Sequence, residues 1–184
     1  MDTLTIFLVQ VALSLTVYGL LAKWYVAPWL ATKPINVALT ALIFPHAIRH
    51  VGLSFLVPGL VAESLPNSFA FAVAYGDFVS GLLAIGALVA LRHRWSLALP
   101  LVWVFNVVGT VDLLNALRQS NIPPLLHTTW YIPTFWVPVL LVTHFMVFAR
   151  LLRRKEQQQT DCNFESHVHS DSESDRRSTA LAAG

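Results

Sequence analysis

Five stretches of the chain, near residues 3–22, 35–57, 69–91, 97–117 and 129–151, are each about 20 residues long and almost wholly apolar. An α-helix rises about 1.5 Å per residue, so each is long enough to cross a hydrocarbon core of roughly 30 Å. In hydrocarbon every backbone N–H and C=O must find a partner within the protein, which leaves helices or a closed barrel. No period-two alternation supports a barrel. The pattern therefore predicts an all-α integral membrane bundle of five transmembrane helices over residues 1–152. Composition agrees: 12% of residues are charged, against about 25% in soluble domains. The 184 residues leave no room for a second folded domain.

The first stretch differs from a secretory signal peptide. Asp2 stands where a basic segment belongs, the apolar run is long, and Lys23-Trp24-Tyr25 reads as an interface anchor. It is expected to stay as a helix. Lys23, Lys33, Arg92, Arg94, Arg150, Arg153, Arg154 and Lys155 fall on one side of a five-span bundle, and Arg118 on the other. That asymmetry places the N-terminus outside and the C-terminus in the cytoplasm of an inner (plasma) membrane. Residues 153–184 are rich in Gln, Ser, Asp, Glu and His, and are expected to form a disordered cytoplasmic tail. Its Cys162 is the only cysteine, so no internal disulfide forms.

Ala72, Gly76, Ser80 and Ala84 recur at steps of four, a ridge that lets a neighbouring backbone come close. Pro45 and Pro138 fall mid-span and are expected to kink their helices.

The second stretch carries Phe44-Pro45-His46-Ala47-Ile48-Arg49-His50 at its centre. At 100° per residue, His46, Arg49, His50 and Leu53 share one face, which must turn inward because charges facing lipid cost several kcal/mol. Counting along each helix puts Arg49 and His50 roughly 21–23 Å above the basic end, Asp112 roughly 22 Å and Asp77 roughly 18 Å, so the three charged groups can meet. A bidentate Arg–Asp contact is the natural geometry. One negative charge is then left over, which a proton cancels. Asn106 and Asn115 spread polarity around the fourth helix with Asp112, and Tyr131 with Thr134 lines the outer mouth. The candidate ligand or proton site is therefore His46, Arg49, His50, Asp77, Asn106, Asp112, Asn115 and Tyr131.

Three chemistries compete for such a layer. Histidine near a carboxylate suits proton exchange or capture of a small polar ligand. His46 and His50, at i and i+4, have the spacing of two metal-binding imidazoles, although Arg49 between them repels a cation. His46 with His144 is a candidate haem pair, yet His144 counts to only roughly 8–10 Å above the basic end, against roughly 16 Å for His46. A purely structural network, in an accessory subunit of a membrane complex, needs no ligand at all. No phosphate-binding loop or nucleophile elbow occurs, and nothing points to nucleic acid. Besides the lipid bilayer, the implied partners are a small polar ligand or another membrane subunit; no cofactor is specified.

The blocks Pro45-His46-Ala47-Ile48-Arg49-His50-Val51-Gly52-Leu53, Ala74-Tyr75-Gly76-Asp77, Trp103-Val104-Phe105-Asn106-Val107-Val108-Gly109-Thr110-Val111-Asp112-Leu113-Leu114-Asn115 and Tyr131-Ile132-Pro133-Thr134 resemble those of uncharacterised bacterial inner-membrane proteins. The resemblance covers roughly residues 35–152, leaving out the first helix and the tail. It implies the fold and no activity.

Overall fold

The computed structural model describes residues 1–119 and 122–154; among these every regular element is helical. The chain divides into two units, Met1–Phe148 and Ala149–Gly184. In the second, residues 149–154 are helical. Of the tail expected to be disordered from residue 153, Arg153 and Arg154 instead continue the helix, and the rest, with Cys162, lies outside the described residues.

Among the described residues, five helices are long and apolar enough to cross a membrane: α1 (Thr3–Ala31), α2 (Ile35–Leu56), α3 (Asn67–Arg92), α4 (Ala98–Leu117) and α5 (His127–Arg154). Four begin and end within three residues of the expected bounds. The exception is α1, which continues through Lys23-Trp24-Tyr25 to Ala31 instead of ending there. A π-helical turn, Ala22–Val26, closes two residues before Pro28. A proline ring collides with the carbonyl four residues back in a regular helix, and one wide turn moves that carbonyl away. The same device recurs in α5, where a π turn at Ile132–Trp136 closes two residues before Pro138. Pro138 is thus absorbed without ending its helix.

Pro45 acts differently. Lacking an N–H, it marks the change of α2 from α-helix (Ile35–Ile43) to a 3-10 helix (Phe44–Leu56). This 3-10 half packs mainly on α3, which packs in turn on α4. The buried line of α3 runs through Ala70, Ala74, Asp77, Gly81 and Ala84, while Ala72, at the head of the expected ridge, is exposed. Small residues on that line let the α2 backbone settle close: a Cβ on Gly81 would stand 3.6 Å from the amide nitrogen of His50.

Asp2 caps α1 by accepting a bond from the Thr5 N–H at 2.8 Å. Over Thr3–Leu21 only Phe7 is buried, so α1 is peripheral. Phe7 meets Trp130 edge-on at 5.6 Å, and Trp130 Nε1 donates to Gln10 at 2.7 Å. Phe7 joins Phe55, Phe69, Val73, Ile122 and Leu126 in an apolar cluster at the end of the bundle that carries Arg118. At the other end α3 stops in a double turn, with Trp95 N–H bonded to the Ala90 carbonyl at 3.0 Å and Arg94 N–H to that of Leu91 at 3.3 Å. Arg94 takes the left-handed position of this motif (φ 54°), where glycine is usual.

Candidate functional site

The 3-10 period decides what α2 presents to its neighbours. At three residues per turn, side chains at i, i+3, i+6 and i+9 eclipse one another. His46, Arg49, Gly52 and Phe55 are the buried residues of this segment. His50, four residues beyond His46, rotates off that line; it is exposed, and its Nδ1 donates to the Ala47 carbonyl at 3.3 Å.

Arg49 is 1% exposed, and its guanidinium joins three helices. Nε donates to Asp77 Oδ1 of α3 at 2.7 Å, and Nη2 lies 2.7 Å from the same oxygen. Nη2 also donates to Asp112 Oδ2 of α4 at 2.5 Å, and Nη1 to the Gly109 carbonyl at 3.3 Å. Two glycines admit this packing. A Cβ on Gly52 would strike Asp77, and one on Gly76 would strike the Asp112 carboxylate. Each acid thus fills the place of a side chain missing from the facing helix.

Beyond Arg49 lies a second polar group. His144 Nδ1 is 2.7 Å from Asn106 Oδ1, and Asn106 Nδ2 donates to the His144 carbonyl at 3.1 Å. Because that amide must donate to a carbonyl, its oxygen accepts, and the hydrogen-bond pattern assigns the His144 proton to Nδ1. His46 Nε2 is 2.9 Å from Thr143 Oγ1, whose own proton goes to the Leu140 or Val139 carbonyl. The same logic puts the His46 proton on Nε2. His46 Nδ1 and His144 Nε2 are buried and have no hydrogen-bond partner among the described residues. The two rings lie 4.1 Å apart, with Phe105 5.0 Å from His46 and 5.1 Å from His144.

Replacing Asn106 with Leu strands the Nδ1–H of His144 in an apolar site, while the His144 carbonyl keeps its place in the backbone ladder of α5. Each unpaired group costs about 1–3 kcal/mol. Thermal unfolding in detergent should show Asn106→Leu destabilised by that order, with partial recovery when His144→Phe is added. An unchanged midpoint for the single variant would mean the bond contributes nothing.

A cavity of about 40 Å³ reaches Asp77 and Asp112 from the Arg118 end. Its other walls are mainly apolar, among them Phe55, Phe69, Leu113 and Ile132. The Asp112 side chain is 19% exposed, the Asp77 side chain 9%.

Of the residues singled out in the sequence, the fold brings His46, Arg49, Asp77, Asn106 and Asp112 together. His50, Asn115 and Tyr131 are exposed and do not join them. Thr110 and Thr134 bond back to carbonyls of their own helix, at 2.7 and 2.8 Å. The sequence reading passed over Gly52, Gly109 and Thr143, and took Gly76 only as part of a ridge for close backbone packing. A usable signal existed for the glycines: Gly76 precedes Asp77 directly, and Gly109 lies one turn before Asp112. His46 and His50 point to different faces and cannot share a metal. Rings in contact at 4.1 Å leave no gap between His46 and His144 for a porphyrin. Among the described residues no three His, Cys, Asp or Glu side chains gather as a metal site.

No curated protein and no solved structure matches the chain. A family match does exist, and it starts within α1, so the first helix belongs to the common region although the sequence resemblance left it out. Matching over residues 6–152, the chain belongs to the family described as Domain of unknown function (DUF8737).

Proposed function

We propose that this is a multi-pass protein of an inner (plasma) membrane, its C-terminus cytoplasmic, whose Arg49–Asp77–Asp112 layer takes up and passes a proton. Support for the membrane comes from its surface. Leu13, Val17, Phe71, Val111 and Phe145, among many large apolar side chains, are half or more exposed, an apolar surface far beyond the few hundred Å² usual on a soluble monomer. Lys23, Lys33, Arg92 and Arg94 against Arg118 support the orientation.

One observation carries the proton reading: two carboxylates share one guanidinium at the floor of a cavity of about 40 Å³. A void holds a water once about 10–15 Å³ is open, so this one admits one to a few waters and no sugar, nucleotide or peptide. The unpaired negative charge needs a single small cation, and a proton fits. His46 and His144 extend the polar route, since a Cβ on Gly109 would be 2.7 Å from His144 Nε2 and 2.8 Å from Arg49 Nη1.

Vesicles containing the purified chain and a trapped pH dye test this. An imposed pH gradient should collapse faster than in empty vesicles. Asp112→Asn, which leaves the Arg49–Asp77 pair neutral and buried, should return the rate to the empty-vesicle level, while Asn115→Ala should not. Equal rates with and without protein, or an active Asp112→Asn, would sink the reading. The glycine-fitted closeness of the acids favours a second reading, a register lock in a structural subunit of a membrane complex. That role gives no flux from the wild type.

A further inference from the structure

Away from the polar layer, a groove of about 470 Å³ lies between the start of α2 and the end of α3. Arg92 and Arg94 line it from the end of α3, and Asn36 and Thr40 from the start of α2. None of these four side chains has a hydrogen-bond or ion-pair partner among the described residues. Val37, Thr40 and Phe44 follow at helical spacing along one face of α2 and continue the groove as a largely apolar wall. Val37 is 48% and Phe44 63% exposed. From Asn36 to Phe44 that wall runs about 12 Å toward the bundle's middle.

We infer that this groove holds an anionic phospholipid, its phosphate between Arg92 and Arg94 and one acyl chain along Val37 and Phe44. Two guanidiniums with no partner among the described residues attract an anion, and arginine binds phosphate through paired N–H groups. An apolar wall starting beside them matches a molecule with a charged head and a hydrocarbon body, and offers nothing to a free phosphate. The position of Arg94 adds to this. It occupies a left-handed site that glycine would take without cost, and an arginine that lines the groove stands there. The inference rests on the membrane reading above and is independent of proton passage at Arg49.

Arg94→Gly provides a clean variant, because it removes the cation and relieves the backbone at once. The full chain in mild detergent, titrated with phosphatidylglycerol and followed by native mass spectrometry, should bind one lipid more tightly than it binds phosphatidylcholine. Arg94→Gly should weaken phosphatidylglycerol binding about fivefold, and Arg92→Gln with Arg94→Gly about thirtyfold. Arg118→Gln, at the opposite end, should leave it unchanged. Equal binding of the two lipids, equal loss in Arg118→Gln, or displacement by millimolar inorganic phosphate would overturn the site. Failure of the membrane reading shows separately, as a chain that stays dispersed in buffer without detergent.

Discussion

Arg49→Gln should leave the protein about 3–5 kcal/mol less stable, enough to remove most folded material from a marginally stable bundle. The guanidinium is 1% exposed and makes its bonds to Asp77, Asp112 and the Gly109 carbonyl at once. Without it, two carboxylates are left in a largely buried site, so each loses its counter-charge and both repel. The cost comes from what is left behind more than from the bond removed. That account makes a sharper demand. The triple variant Arg49→Gln, Asp77→Asn, Asp112→Asn has no charge to strand, and should recover a large part of the lost stability. Thermal unfolding in detergent, with the fraction eluting as a single species on size exclusion, reads both. A triple variant no more stable than Arg49→Gln would show that the arginine acts by shape and packing instead.

Gly109→Ala should be nearly as damaging, although it adds one methyl group. Its Cβ would sit 2.7 Å from the His144 ring and 2.8 Å from Arg49 Nη1. Neither can move aside: Asn106 holds His144 from two directions, and two aspartates hold Arg49. Overpacking of a rigid site costs about 1–3 kcal/mol, and here a displaced guanidinium adds to it. Gly86→Ala is the control, since its Cβ would meet only Leu101 Cδ2, at 3.5 Å. An alanine in a helix interior gains about 0.5–1 kcal/mol over glycine, so Gly86→Ala should be neutral or stabilising. Were both variants to unfold at the same temperature, the close fit around Gly109 would be wrong.

Sequence alone was enough to specify the five apolar helices of the described residues and the buried arginine among them. Twenty apolar residues in a row have few conformations that satisfy their own backbone, so length and hydropathy were enough. Charge balance and rise per residue were also enough to pair Arg49 with Asp77 and Asp112, because height along a helix follows from counting. Rotation about the helix axis does not. Counting at 100° per residue put His50 beside Arg49, and the 3-10 half of α2 turns it away by advancing 120° instead. That change of period depends on Pro45 and on how closely α2 can lie against Gly81 and Asp77, which is a property of packing. Likewise the pairing of His46 with His144, the hold of Asn106 on His144, and the glycines that make space for both acids arise between helices. No local pattern encodes them: a contact between helices depends on height and rotation in both partners, and the sequence gives usable values only for height.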